Sequence, residues 1–295
     1  MYQTMRLKSA AAKLLGGIAF LLAAILCVTT VAGKLTAAAE EKTTDGIRLP
    51  IIMYHGLLKE QKRQGKFVIS PSDFEKDLKY LKDNGYHTIV MQDLLDYVGE
   101  GKPLPEKPVM LTFDDGYYNN YLYAFPLLQL YESKMVLSPI GRYADEYSKT
   151  KDEHANYSHA TWEELKEMID SGWVEVQNHS YNLHQNDKQR KGSQKVSGES
   201  VDQYKAMLMK DVEKMQQAVR ENTGWTPTAF TYPFGAVSRE SLPILKEMGF
   251  QATLICESKV NVITSDPECL YGLGRYLRPA GVSTESFFQK VLRTV

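Results

Sequence analysis

The chain has 295 residues, 43% of them hydrophobic and 24% charged, with a formal net charge of −1 at neutral pH. This is ordinary globular composition on a chain long enough to bury a sizeable core. The near-zero charge offers no electrostatic footprint for nucleic acid, which is excluded as an expected partner.

The first 13 residues carry Arg6, Lys8 and Lys13 without an acid, and Leu14 to Gly33 then run uncharged. That is the pattern of an export signal. At about 1.5 Å per residue the apolar run spans roughly 30 Å, enough for a membrane anchor. Ala37 and Ala39 in "LTAAAE" nevertheless offer a small-residue cleavage site, and the bulky Leu26 before Cys27 argues against lipidation. Residues 1–39 are therefore expected to be a signal peptide or signal anchor, followed by a polar linker over residues 40–48. In either case the remainder lies outside the cytoplasm, secreted or anchored to the outer face of the cell membrane. Beyond the signal only Cys256 and Cys269 remain, and an oxidising compartment would allow them to pair.

From Leu49 onward one pattern recurs: a helix that stops at a glycine, then an aromatic residue and a strand. In "SDFEKDLKYLKDNGYHTIV", Ser72 and Glu75 suggest a capping box, and Phe74, Leu78 and Leu81 form an apolar stripe ending near Gly85. "TWEELKEMIDSGWVEV" repeats it with Thr161, Glu164 and Gly172, and "SLPILKEMGFQATLI" with Gly249. With "LPIIMYH", "KPVMLTF", "KMVLSPI" and "TAFTYPF" added, about seven short strands alternate with helices. Such alternation predicts an α/β fold with a parallel sheet. A distorted (β/α) barrel over residues 49–295 is the first choice and an open doubly wound sheet the second.

Chemistry in such barrels sits where strands end and loops begin. Four predicted strands end in suggestive residues: His55 in "MYHG", Asp114 and Asp115 in "TFDDG", His179 and His184 in "EVQNHSYNLH", and Phe234 in "TYPFG". Asp115, His179 and His184 would supply three ligands to one divalent metal ion, zinc being the cation that imidazole plus carboxylate suits. The two histidines are five apart, so the chain must leave its strand and turn at Ser180 to Asn182. Taken singly, Asp-Asp-Gly is more often a turn, "YPFG" is a turn about as often as not, and a lone strand histidine such as His55 is more often structural than catalytic. "HANYSH", with His154 and His159, has no apolar strand before it and reads as a loop.

"TFDDGY", then "HSYNLH" some sixty residues later, then "TYPFG" resemble the polysaccharide deacetylases of carbohydrate esterase family four, the NodB-homology domain. The opening "LPIIMYHG" looks like the poly-N-acetylglucosamine deacetylase subgroup. The resemblance covers nearly everything after residue 48. It implies that Asp114 is the general base, that Asp115, His179 and His184 bind the metal, and that Phe234 gives a backbone N–H to the oxyanion. Two departures stand out. Thr231 occupies the place of the arginine that the third motif normally carries, and no histidine follows residue 184 to act as general acid. His55, at the end of the first strand, is the remaining candidate for that role, and in the resembled subgroup a histidine on this strand stands in for the late one.

The implied substrate is an N-acetylglucosamine-containing polysaccharide, with membrane contact only through an uncleaved N-terminal segment. An O-acetyl esterase on the same scaffold and a carbohydrate-binding pseudoenzyme are the alternatives. Tyr117, Tyr118, Tyr121 and Tyr123 offer faces for sugar stacking or for the core, and the polar stretch 185–200 reads as a lid, a groove wall or a surface loop.

Overall fold

Residues 46–293 are described by a computed structural model; the expected export segment and most of the tether lie outside them. Seven strands make a ring. In chain order they are β1 (Ile51–Tyr54), β2 (Pro108–Asp115), β3 (Met135–Pro139), β4 (Val174–Val176), β5 (Ala229–Thr231), β6 (Ala252–Leu254) and β7 (Tyr276–Leu277). Parallel ladders join β7, β1, β2, β3 and β4 in that order, and a separate parallel ladder joins β5 to β6. Single parallel bridges close the two gaps, Asn178 with Phe230 and Leu254 with Leu273 just ahead of β7. The fold is thus the expected barrel of parallel strands, and its distortion sits at those two seams.

The seven are not the seven expected. His87–Ile89 does pair with β2, but Met110 has Ile51 on one side and Ile89 on the other, whereas β3 pairs with β2 only from Thr112 onward. His87–Ile89 therefore lies below the point where β3 becomes the neighbour of β2 and stands outside the ring. Its place is taken by β7, whose two residues are too few to show any alternation in sequence. Ile47–Leu49, which overlaps the predicted linker, is already a strand, antiparallel to Asn261–Ile263.

Every residue of β2 is buried, as a barrel stave covered on both faces requires. Alternate side chains go to different places. Val109, Leu111 and Phe113 join an outer cluster with residues of the surrounding helices, including Phe74, Leu78 and Leu165. Met110 joins an inner cluster with Ile51, Val136 and Leu254. Burying one such side chain contributes roughly 1.5–3 kcal/mol, so these two layers dominate the stability.

The helices are α1 (Pro71–Asp83), α2 (Met91–Glu100), α3 (Phe125–Tyr131), α4 (Gly141–Thr150), α5 (Trp162–Asp170), α6 (Val201–Thr223), α7 (Ser241–Glu247) and α8 (Thr284–Leu292). The cap of the first lies two residues before the expected one: Ser70 Oγ accepts the Asp73 N–H at 2.9 Å and Pro71 occupies the first helical position, where its missing N–H costs nothing. The Thr161–Glu164 capping box is present as read. Gly85, Gly172 and Gly249 all follow their helices with positive φ. Among the described residues no helix is long and apolar enough to cross a membrane.

Candidate active site

Because the ring strands are parallel, their C-terminal ends share one rim. His55, Asp114, Asp115, His179, His184 and Phe234 all line one cavity there, of about 750 Å³. The convergence inferred from four separate strand ends is therefore observed.

In a regular strand Asp114 and Asp115 would point to opposite faces. Asp114 keeps the parity of Met110 and Thr112 and points inward. Asp115 has a φ of +70°, which breaks the alternation and lets both carboxylates face the cavity. The next residue has to be glycine: Gly116 has a φ of +71°, and a Cβ there would lie 2.5 Å from the Pro139 Cβ.

Asp115 Oδ1 stands 3.1 Å from His184 Nε2 and 3.6 Å from His179 Nε2. It is buried and accepts no aligned hydrogen bond, although two ring nitrogens face it. The three ligand atoms lie within 4.8 Å of one another. His179 Nδ1 is 2.8 Å from the Thr231 carbonyl oxygen, so that nitrogen carries the proton and Nε2 is left as a lone-pair donor. An orphaned carboxylate oxygen and two imidazoles aimed at one point fit a divalent cation. Burial alone would push Asp115 up, but the facing imidazoles hold it well below the usual carboxylate range.

The second ligand segment turns as its spacing required. Ser180 has a φ of +70°. Asp211 on α6 holds the turn, with its two oxygens accepting the Tyr181 and Asn182 N–H groups at 2.8 and 2.9 Å. Ser180 N–H donates to Asn178 Oδ1, and the Asn178 amide reaches Val212 O and Gln216 Oε1 on the same helix.

Asp114 is paired with a residue that no motif pointed to. Arg275, fully buried, donates Nη1 to Asp114 Oδ1 at 2.6 Å and Nη2 to Oδ2 at 2.8 Å. Its Nε donates to the Ile255 carbonyl at 3.0 Å. Burial would raise the Asp114 carboxyl, but the Arg275 guanidinium, together with His179 and His55, more than reverses that and holds it below the usual carboxylate value. Thr231 does not stand in for the arginine; its Oγ1 pairs with Ser138 Oγ at 2.8 Å. The one sequence signal for Arg275 is the glycine before it: a Cβ on Gly274 would run into Lys259 and the Glu257 carbonyl.

His55 has a buried Nδ1 without a hydrogen-bond partner, and its ring lies 4.8 Å from that of Phe67. Burial pushes its pKa down while Asp114 and Asp115 pull the other way. Phe234 adopts a φ of +57° and packs its ring 4.2 Å from that of His184. Of the four tyrosines, Tyr117 lines the cavity, Tyr118 is buried, and Tyr121 and Tyr123 pack partly against the outer core.

The stretch 185–200 is a wall, with Asn186 and Lys191 lining the cavity. An Arg190–Glu199 ion pair at 2.7 Å and Ser193 Oγ donating to Ala236 O at 3.1 Å hold it in place. Cys256 and Cys269 are both free; the first lines the cavity and sits beside Arg275, the second lies in the short helix Pro267–Leu270. The "HANYSH" segment is a loop as read, yet it brings His159 against the backbone of Asp115. Its ring is buried and Nδ1 lies 3.0 Å from the Asp115 carbonyl oxygen.

The sequence model of the family described as polysaccharide deacetylase matches residues 101–253. The chain belongs to that family. The match takes in Asp114, Asp115, His179, His184 and Phe234 and leaves His55 and Arg275 outside it. The chain is 27% identical over 259 residues to the poly-beta-1,6-N-acetyl-D-glucosamine N-deacetylase of Escherichia coli K12, covering 82% of this chain and 38% of that protein. It thus spans well under half of that relative's length. Against the Staphylococcus aureus NCTC 8325 protein of the same description it is 26% identical over 193 residues, 65% of this chain and 62% of the other. Among solved structures, IcaB from Ammonifex degensii superposes with a TM-score of 0.67 at 28% identity, over 84% of this chain and 96% of that one. A de-N-acetylase from Aggregatibacter actinomycetemcomitans superposes at 0.69 with 26% identity, over 84% and 100%.

Proposed function

We propose that this chain is a metal-dependent hydrolase that removes acetyl groups from the N-acetylglucosamine residues of an extracellular or cell-wall polysaccharide. One observation carries the reading: the Asp114 carboxylate, paired with Arg275, shares a cavity with Asp115, His179 and His184, whose donor atoms lie close enough together to hold one metal ion. The relatives named as N-deacetylases support the substrate class.

A divalent ion, with zinc the natural choice, would be held by Asp115, His179 and His184 and would supply Lewis-acid polarisation of the acetyl carbonyl and a more acidic water. Asp114 takes the proton of the attacking water on a carboxylate oxygen that Arg275 keeps charged. The Phe234 backbone N–H serves as donor to the developing oxyanion. His55, whose pKa burial lowers against the opposing pull of Asp114 and Asp115, gives the proton it carries in the reactive state to the leaving nitrogen, and acetate and a free amine result. The exposed side of the cavity, walled by residues 185–200, receives the sugar chain.

The test is acetate release by metal-reconstituted protein from N-acetylglucosamine oligomers, peptidoglycan fragments and acetylated xylan. Release from the first is the expected result. Release from acetylated xylan alone would make the protein an O-acetyl esterase, and binding without release would make it a pseudoenzyme.

A further inference from the structure

We propose that His159 is a positioning residue for the metal site, donating Nδ1–H to the Asp115 carbonyl and so locking the turn that aims the Asp115 carboxylate at His179 and His184. The proposal rests on the reading of that triad given above.

Asp115 needs a lock. Its φ of +70° is a conformation that residues with a Cβ rarely adopt, and without it the carboxylate would return to the opposite face of β2. The conformation therefore has to be held from outside the residue. Two donors reach its carbonyl oxygen: the Ile140 N–H at a long 3.4 Å, and the His159 ring at 3.0 Å. The ring supplies the shorter contact.

The surroundings of His159 fix the ring itself. Its backbone forms an antiparallel bridge with Tyr117, flanked by Tyr118 N–H to Ser158 O at 2.8 Å and Ala160 N–H to Gly116 O at 2.9 Å. The segment 158–160 is thus tied to the residues immediately after Asp115. The imidazole stacks on Tyr143 with centroids 4.3 Å apart and planes 15° apart, and Tyr117 lies 4.8 Å away on the same ring. Held by a backbone bridge and by two aromatic rings, the donor has little freedom to leave the carbonyl. Groups that orient a ligand in this way govern metal affinity as well as turnover.

Two substitutions separate donation from packing. His159→Phe keeps the stacking ring and loses the donor, whereas His159→Asn keeps a donor in the place of Nδ1 and loses the ring. Zinc affinity of the metal-free full chain, measured by titration calorimetry, should weaken about tenfold or more in the Phe variant, and the Asn variant should recover most of that loss. A Phe variant that binds zinc as tightly as the unsubstituted chain overturns the proposal. Should the Phe variant fail to fold, nitrogen NMR of the unsubstituted protein decides: the Nδ1–H tautomer of His159 supports the lock and the Nε2–H tautomer refutes it. An unsubstituted chain that binds no metal would instead refute the deacetylase reading, and the tautomer would still test the lock.

Discussion

Arg275 grips both oxygens of Asp114, at 2.6 and 2.8 Å, from 161 residues further along the chain. A carboxylate taken out of water beside a second carboxylate should protonate; this one does not, because a planar fork of donors matches it atom for atom. Arg275→Met should therefore raise the Asp114 pKa. On the proposed mechanism, in which Asp114 acts ionised as the base, the acid limb of kcat/KM should move to higher pH, by about one unit or more, with metal content unchanged. A pH–rate profile identical to that of the unsubstituted enzyme would show that the pair does not tune the base.

The two adjacent aspartates should separate cleanly. Asp114→Asn is expected to keep one metal per chain and lose turnover, because its carboxylate faces Arg275 and not the histidines. Asp115→Asn is expected to lose both. Metal content by elemental analysis beside acetate release makes the comparison, and equal metal loss in the two variants would contradict the assignment.

His55→Ala should retain stoichiometric metal and lose most turnover on amides. The loss should be smaller on acetyl esters, whose leaving groups need a proton less. Unchanged amide hydrolysis would mean that another group is the acid, and metal loss would make His55 a ligand.

Away from the site, Arg278 and Asp77 form a buried pair at 2.9 and 3.1 Å, which Tyr54 and Thr284 also bond. Asp77→Leu leaves that guanidinium without its partner and should cost about 3–5 kcal/mol in urea unfolding. Lys79→Ala breaks only an exposed pair with Asp83 and should leave the unfolding midpoint almost unmoved.

Much of this was legible in the sequence because it is periodic or clustered. "PVMLTFDD" shows a stave that cannot meet water on either face, and the same eight residues end on the carboxylates that the cavity uses. His179 and His184 announce a turn by their spacing, and Ser180 makes it. What stayed hidden is neither periodic nor clustered. Arg275 lies in "GLGRYL", where only the lack of room beside Gly274 marks the place. His159 lies in a polar loop whose purpose becomes visible only when the backbone of Asp115 is seen. The Ser70 cap was displaced to Ser72 because the apolar stripe fixes the face of a helix better than its first residue.

The pairing of Tyr276 and Leu277 with Ile52 and Met53 brings the last stave against the first. His55 follows directly from one partner, and Arg275 directly precedes the other. His55 and Arg275 are therefore contributed from opposite ends of the described chain, and the ladder between β7 and β1 brings the two segments together. A chain ending at residue 270 would carry Asp115, His179 and His184 but not the guanidinium that pairs with Asp114. On the proposed mechanism, hydrolytic competence therefore depends on the last strand of the ring as well as on the triad.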